Sequence, residues 1–306
     1  MIWLSLAFLS AALLGLYDVS KKQSLKDNAV IPVLLLNTLF CSLIFLPCII
    51  LSATGVLSEE HLLYTHSYGW TEHRYIILKA IIVLSSWLCA YFGMKHLPLT
   101  IVGPINATRP VMVLIGAMVF FAERLNLWQW AGVLIALIGI ELLKHTSKRE
   151  GISWGHNKWI YFVILGNVLG AVSGLYDKYL MASPDNGGIG LDRMAVQSWY
   201  NIYQFAMMTV MLVCLWYPIR RRTTPFHWQW SILLISVFLS MADFAYFYAL
   251  GLDGAMISIV SMIRRGSVLV SFLCGAMIYH EKNLKAKFVD LALVLLSMVF
   301  LFVGSN

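Results

Sequence analysis

The sequence predicts an all-α polytopic membrane protein with ten transmembrane helices arranged as two inverted five-helix repeats. Three observations carry this: a composition too apolar for water, ten apolar windows of spanning length, and an ordered series of matches between the halves. Of 306 residues, 60% are hydrophobic and 12% charged, with a mean hydropathy of +0.77, against about 45–50% and about 25% in soluble domains. So few charges cannot cover a core that size in water, so lipid is the solvent.

The apolar windows run 2–17, 29–51, 75–93, 99–122, 127–144, 159–182, 195–217, 229–250, 255–279 and 287–304. A crossing helix needs about 20 apolar residues, which puts the first window at the short end. It resembles a signal-peptide core but has no positive charge before it, and is read as a retained first helix. The widest gap, Ser52 to Arg74, has room for an interfacial segment and no separate domain. The layout predicted is a first repeat over 1–146, a cytoplasmic connector over 147–158, and a second repeat over 159–306.

The repeat shows in chain order. Gly15-Leu16-Tyr17-Asp18 recurs as Gly174-Leu175-Tyr176-Asp177, and Asn37 in the second window has Asn201 in the seventh. Ala90-Tyr91-Phe92 recurs as Ala245-Tyr246-Phe247, with Arg109 falling opposite Arg264 at the same offset. Both halves then reach Gly-Ala-Met, at 116–118 and 275–277, and a glutamate, Glu123 and Glu281, with the arginine-to-glutamate spacing differing by three residues. Five spans per half force the second half to enter the membrane from the opposite side, the inverted repeat of many secondary transporters.

Charge tests the inversion, because cytoplasmic connections carry the excess of Lys and Arg. Odd-numbered connections hold 14 basic residues, among them Lys21, Lys22, Lys26 and the Arg220–Arg222 run, and even-numbered ones hold five. The other three, Arg109, Arg264 and Arg265, lie inside windows. Odd connections are therefore predicted cytoplasmic and both termini extracytoplasmic, in a plasma membrane read as a bacterial inner membrane.

Several function classes are disfavoured. The chain has 22 basic and 15 acidic residues, but nucleic acid needs a basic patch on a soluble fold, and none is present. Cys41, Cys48, Cys89, Cys214 and Cys274 lie in apolar stretches without metal-ligand spacing, so neither a disulfide framework nor a metal site is implied. The eight histidines fall in connections or at window ends, leaving no catalytic couple at depth. No catalytic residue, metal or cofactor is assigned, and no channel-type filter segment is found.

Taken together, the two halves, Arg109-Pro110 leading to Phe121-Ala122-Glu123-Arg124-Leu125-Asn126 and Gln129-Trp130-Ala131-Gly132, and Arg264-Arg265 leading to Glu281-Lys282-Asn283 resemble the drug/metabolite transporter superfamily, in its EamA-type ten-helix branch. The resemblance covers essentially the whole chain. It implies a cavity between the halves and alternating access; members move amino acids, drugs, sugars or lipid-linked sugars, so it does not name the substrate. Many ten-helix relatives are assigned cytoplasmic termini, opposite to the charge count here, and the second half lacks the proline often found in this stretch of the ninth helix.

Ionisable groups at mid-membrane are the site candidates, since each costs at least about 2.5–3.5 kcal/mol there. Arg109 lies about ten residues, or about 15 Å, into the fourth window, with no acid at matching depth on the third, where Ser86-Trp87 falls. It either reaches across to Asp243 or binds an anionic group on the substrate as a bidentate fork; the second makes it the main substrate contact. Gly103-Pro104-Ile105-Asn106 before it and Pro110 after it free backbone carbonyls at depth. Asp243 and Arg264 fall at equal depth on neighbouring antiparallel spans and can pair, as a coupling site or as a staple. The substrate-binding set is thus Arg109, Asn106, Asn37, Asn201, Trp87 and Tyr246, with Asp243 and Arg264 as coupling pair. Lys79 reads as a snorkelling anchor, Glu123 and Glu281 as surface-paired groups, and Tyr17-Asp18 and Tyr176-Asp177 as interface caps or gates.

The function predicted is secondary transport of a small metabolite, anionic or zwitterionic such as an amino acid, or a sugar, with protons as candidate coupling ion. The alternatives are a flippase for a lipid-linked sugar and, outside transport, a membrane scaffold or receptor. Expected partners are the small-molecule substrate and membrane lipids, without nucleic acid, for a monomer or homodimer.

Overall fold

The computed structural model describes residues 2–120, 125–148, 152, 154–181, 184–250, 263–279 and 284–304. All regular elements among them are helical: α1 (Ile2–Leu25), α2 (Val30–Ala53), α3 (Trp70–His96), α4 (Leu99–Ala107), α5 (Arg109–Phe120), α6 (Leu127–Lys148), α7 (Lys158–Met181), α8 (Arg193–Met211), α9 (Ser231–Leu250), α10 (Ser267–Ile278) and α11 (Leu284–Val303). A π-helical run, Leu212–Trp216, carries α8 on to Ile219. Eight stretches are long and apolar enough to cross a membrane, α4 and α5 counting as one, and Ser231–Tyr246 is a shorter apolar helix. Each of the ten predicted windows contains helix, the ninth through α10; its residues 255–262, with Glu123, Arg124, Asp253 and Glu281, lie outside the described residues.

The helices overrun their apolar windows. Lys21 and Lys22 lie inside α1, Arg74 and Lys95 inside α3, and Lys285 inside α11. Hydropathy marks lipid contact, whereas the backbone ladder continues until a turn signal stops it. Asn28 is one such signal: its Oδ1 accepts the backbone N–H of Ala29 and of His227, both at 2.9 Å. Asp192 starts α8 by accepting the Ala195 N–H at 2.9 Å.

The fourth span breaks at Thr108 because Pro110 supplies no N–H to the turn before it and fits only a first helical turn. The Thr108 hydroxyl donates to the Ile105 carbonyl at 2.7 Å. In the second half, helix at 263–265 breaks at Gly266 before α10. Discontinuous helices at this place in both halves are how inverted-repeat proteins build mid-membrane sites.

Packing repeats about a pseudo-two-fold. α1 lies on α9 and α10, and its counterpart α7 lies on α3 and α5; α2 packs on α9 as α8 packs on α3. On the axis, α2 meets α8, α4 meets α10, and α6 meets α11. Small residues let these backbones approach: a Cβ on Gly15 would come within 2.4 Å of Val270, and one on Gly93 within 2.3 Å of Val163. Large apolar side chains such as Phe8, Leu43, Leu134 and Leu273 cover the outside, each more than half exposed. Only a bilayer accommodates such a surface.

Candidate functional site

A charged cavity of 340 Å³ lies where α3, α7, α8 and α9 meet the helical segment ahead of Gly266. Lys79 and Asp177 line one wall, Asp243, Arg264 and Arg265 the other, and Arg193, Gln197 and Tyr200 come from the first two turns of α8. Lys79 pairs with Asp177 and also donates to the Ser173 hydroxyl at 3.3 Å. Arg264 pairs with Asp243, whose other oxygen accepts from the Gln197 amide at 3.2 Å. Arg264 stands over the Tyr246 ring at 4.4 Å and Lys79 over the Tyr200 ring at 5.6 Å, so aromatic faces hold both cations in place. Four cations face two acids across this space. Among the described residues neither Arg193 nor Arg265 has an ion-pair partner. The described lining therefore carries a surplus of positive charge.

Beyond it, α2, α8 and α9 bury a polar layer. Asn37 accepts from the Ser236 hydroxyl at 3.0 Å, and Asn201 donates to the Gln197 carbonyl at 2.8 Å while its own carbonyl accepts from Ser42 at 2.9 Å. The Asn37 amide nitrogen, the Gln204 side chain and the hydroxyls of Ser198 and Ser240 find no protein partner among the described residues. Polar groups of this kind at membrane depth mark a hydrated or ligand-bearing path.

Of the residues singled out in the sequence, Asp243, Arg264 and Tyr246 come together in the cavity; Arg109, Asn106, Asn37, Asn201 and Trp87 lie outside its lining. Arg109 reaches α7 rather than Asp243: its Nε donates to Asn167 at 3.0 Å, and its guanidinium lies over Gly170, where a Cβ would come within 2.6 Å of Cζ. Asn167 donates in turn to the Ile105 carbonyl at 2.7 Å and to Thr108 at 3.1 Å, clasping the break in the fourth span. Arg109 is within electrostatic reach of Arg265. Asn106 is half-buried on α4, and Trp87 packs on the main apolar core. Lys79 is not a snorkelling anchor: it is 6% exposed and points inward to Asp177. α7 offers a carboxylate at its depth, and an inward pair removes the need to reach the interface.

Asn167, Gln197 and Arg193 are the groups that sequence reading passed over, and Asp177, read there as an interface cap or gate, lines the cavity and pairs with Lys79. A signal was present in spacing: Arg193, Gln197, Asn201 and Gln204 lie on one face of α8, and Asn167, Gly170, Gly174 and Asp177 on one face of α7.

The two ends of the bundle differ. The cavity lies toward the even-numbered connections, where Tyr68 of the 54–69 segment accepts the Asp192 N–H at 2.7 Å. At the odd-numbered end Lys22 donates to the Met94 and Leu97 carbonyls at 2.7 and 2.5 Å, Lys95 to the Asn28 carbonyl at 2.8 Å, and Asn28 to the His227 carbonyl at 2.7 Å. Lys21, 4% exposed, pairs with Asp18 at 2.9 Å below the Tyr17 and Tyr91 rings. That end is sealed.

An all-helical, pseudo-symmetric membrane bundle with a charged cavity between its halves defines the class: a multi-pass membrane protein. Residues 1–144 match the model of the EamA-like transporter family, so the resemblance to drug/metabolite transporters read from the sequence is borne out by the first half. A solved structure titled "Crystal structure of protein" is similar over 97% of this chain and 96% of its own, with a TM-score of 0.60 at 14% identity. At that identity the likeness shows the fold. No curated protein matches the sequence.

Proposed function

We propose that this protein is a secondary transporter that moves an anionic or zwitterionic metabolite across the plasma membrane by alternating access, and that its charged cavity faces the extracytoplasmic side. The observation that carries the reading is the surplus of cations in the cavity, with Arg193 and Arg265 outside any ion pair among the described residues. A substrate anion enters between Arg193, Arg264 and Arg265, with Arg109 within electrostatic reach of Arg265. The Asn37, Asn201 and Gln204 layer then lies on the route to the sealed end.

Coupling follows from the Arg264 pair. An anion that draws Arg264 away leaves Asp243 to Gln197 alone, which makes Asp243 the candidate carrier of the coupling proton. Substrate flux in proteoliposomes tests this. Asp243→Asn should abolish the dependence of uptake on a pH gradient while exchange of substrate down its own gradient survives. Unchanged pH dependence in that variant would reduce the pair to a staple between neighbouring spans.

A further inference from the structure

Beside the charged cavity runs a larger groove of 850 Å³, and Met181, Arg193 and Asp243 line both spaces. Its walls are otherwise almost wholly apolar: Leu6, Leu9 and Leu13 of α1, Ile44 and Phe45 of α2, and Phe244 of α9 among them. Several of these also face outward. Leu9 is 49% exposed, Met241 50% and Phe244 51%, on a surface that lipid covers, so the groove opens sideways between α1, α2 and α9 into the bilayer. A water-borne metabolite has no use for such a wall. Burying a hydrocarbon chain along it is favourable in proportion to chain length, and a chain lying there ends at Arg193, the residue through which the groove meets the cations.

We infer that the substrate is an amphipathic anion, whose phosphate or carboxylate headgroup occupies the cavity between Arg193, Arg264 and Arg265 while its hydrocarbon chain lies in the groove and enters from the bilayer. The inference rests on the transport reading above and narrows its substrate class. The cavity, at 340 Å³, takes the headgroup, and the chain never crosses the charged wall. Asp192, the other acid on the groove, is held by the Ala195 N–H at the start of α8. It leaves Arg193 available to the headgroup.

The test uses the full chain in nanodiscs of neutral phosphatidylcholine, with tritiated monododecyl phosphate as probe and inorganic phosphate, dodecanol and dodecyltrimethylammonium as competitors. Saturable binding is expected, with inorganic phosphate competing at least about 100-fold more weakly because each buried methylene adds to affinity. Dodecanol and the cationic amphiphile should not compete. Arg265→Gln should weaken the probe about tenfold through lost charge-assisted hydrogen bonds, and Arg193→Gln serves as second variant if the first does not fold. Met241→Trp, which narrows the groove, should weaken dodecyl phosphate and leave inorganic phosphate unchanged. Equal competition by inorganic phosphate overturns the inference in favour of a free anion. Competition by dodecanol, or binding indifferent to both arginine variants, overturns it in favour of an ordinary bilayer chain in the groove. Binding as expected without flux of any anion in proteoliposomes keeps the site for an amphipathic anion and overturns the transport reading.

Discussion

Arg109 shows what a single buried cation settles and what it leaves open. Its depth made it a site candidate, and the Asn167 contact makes it also the clasp of a broken helix. Because Asn167 and Arg109 act through one contact, their substitutions should not add. Asn167→Ala is expected to lower stability by about 1–2 kcal/mol, and Arg109→Gln combined with it should show a coupling of at least about 0.5 kcal/mol in a double-mutant cycle. Thermal unfolding of the purified protein in detergent measures both, and strictly additive losses would mean that Arg109 is held elsewhere. Lys79 makes the complementary point. Position along a hydropathy window suggested an anchor at the interface, yet a carboxylate on α7 turns the side chain inward. No reading of α3 alone contains Asp177.

Helices were legible as apolar windows, and their crossings were not. α3 meets α7 at Gly93 and Gly166, where a Cβ on Gly166 would meet the Ser86 carbonyl oxygen at 3.0 Å and one on Gly93 would meet the Val163 methyl at 2.3 Å. The Val163 contact is with a side chain, so it can be relieved. Gly93→Ala should cost about 1–3 kcal/mol through overpacking, and Val163→Ala in the same chain should recover most of it. The melting temperature in detergent tests this, and a double variant no more stable than Gly93→Ala would place the strain in the backbone. The broken fourth span had a readable cause in Pro104 and Pro110. Its counterpart at Gly266 did not, since no proline marks it.

For the whole molecule the decisive property is orientation. The asymmetry of basic residues predicts cytoplasmic odd-numbered connections, and the contacts made by Lys21, Lys22, Asn28 and Lys95 lie at that end. In a background with all five cysteines replaced, Leu63→Cys at the groove should react with a membrane-impermeant maleimide added to intact cells, and Lys26→Cys only after lysis. The reverse pattern would invert the topology. The pseudo-two-fold adds that each half packs its first helix into the other, since α1 packs on α9 and α10 and α7 on α3 and α5.

Membrane residence, the helix-bearing windows and the two-fold repetition could all be read from composition and order, because lipid selects long apolar runs and repetition leaves matching strings. The cavity could not. Asp243 and Arg264 stood out because they share a depth on adjacent spans, a short-range relation that sequence distance encodes. The Lys79–Asp177 pair and the Asn167 clasp join residues 98 and 58 to 62 positions apart across the interface of the repeats, and Arg193 meets Arg265, 72 positions on, within the second half. Such contacts depend on how the two halves interlock, and only close packing of helix against helix decides that.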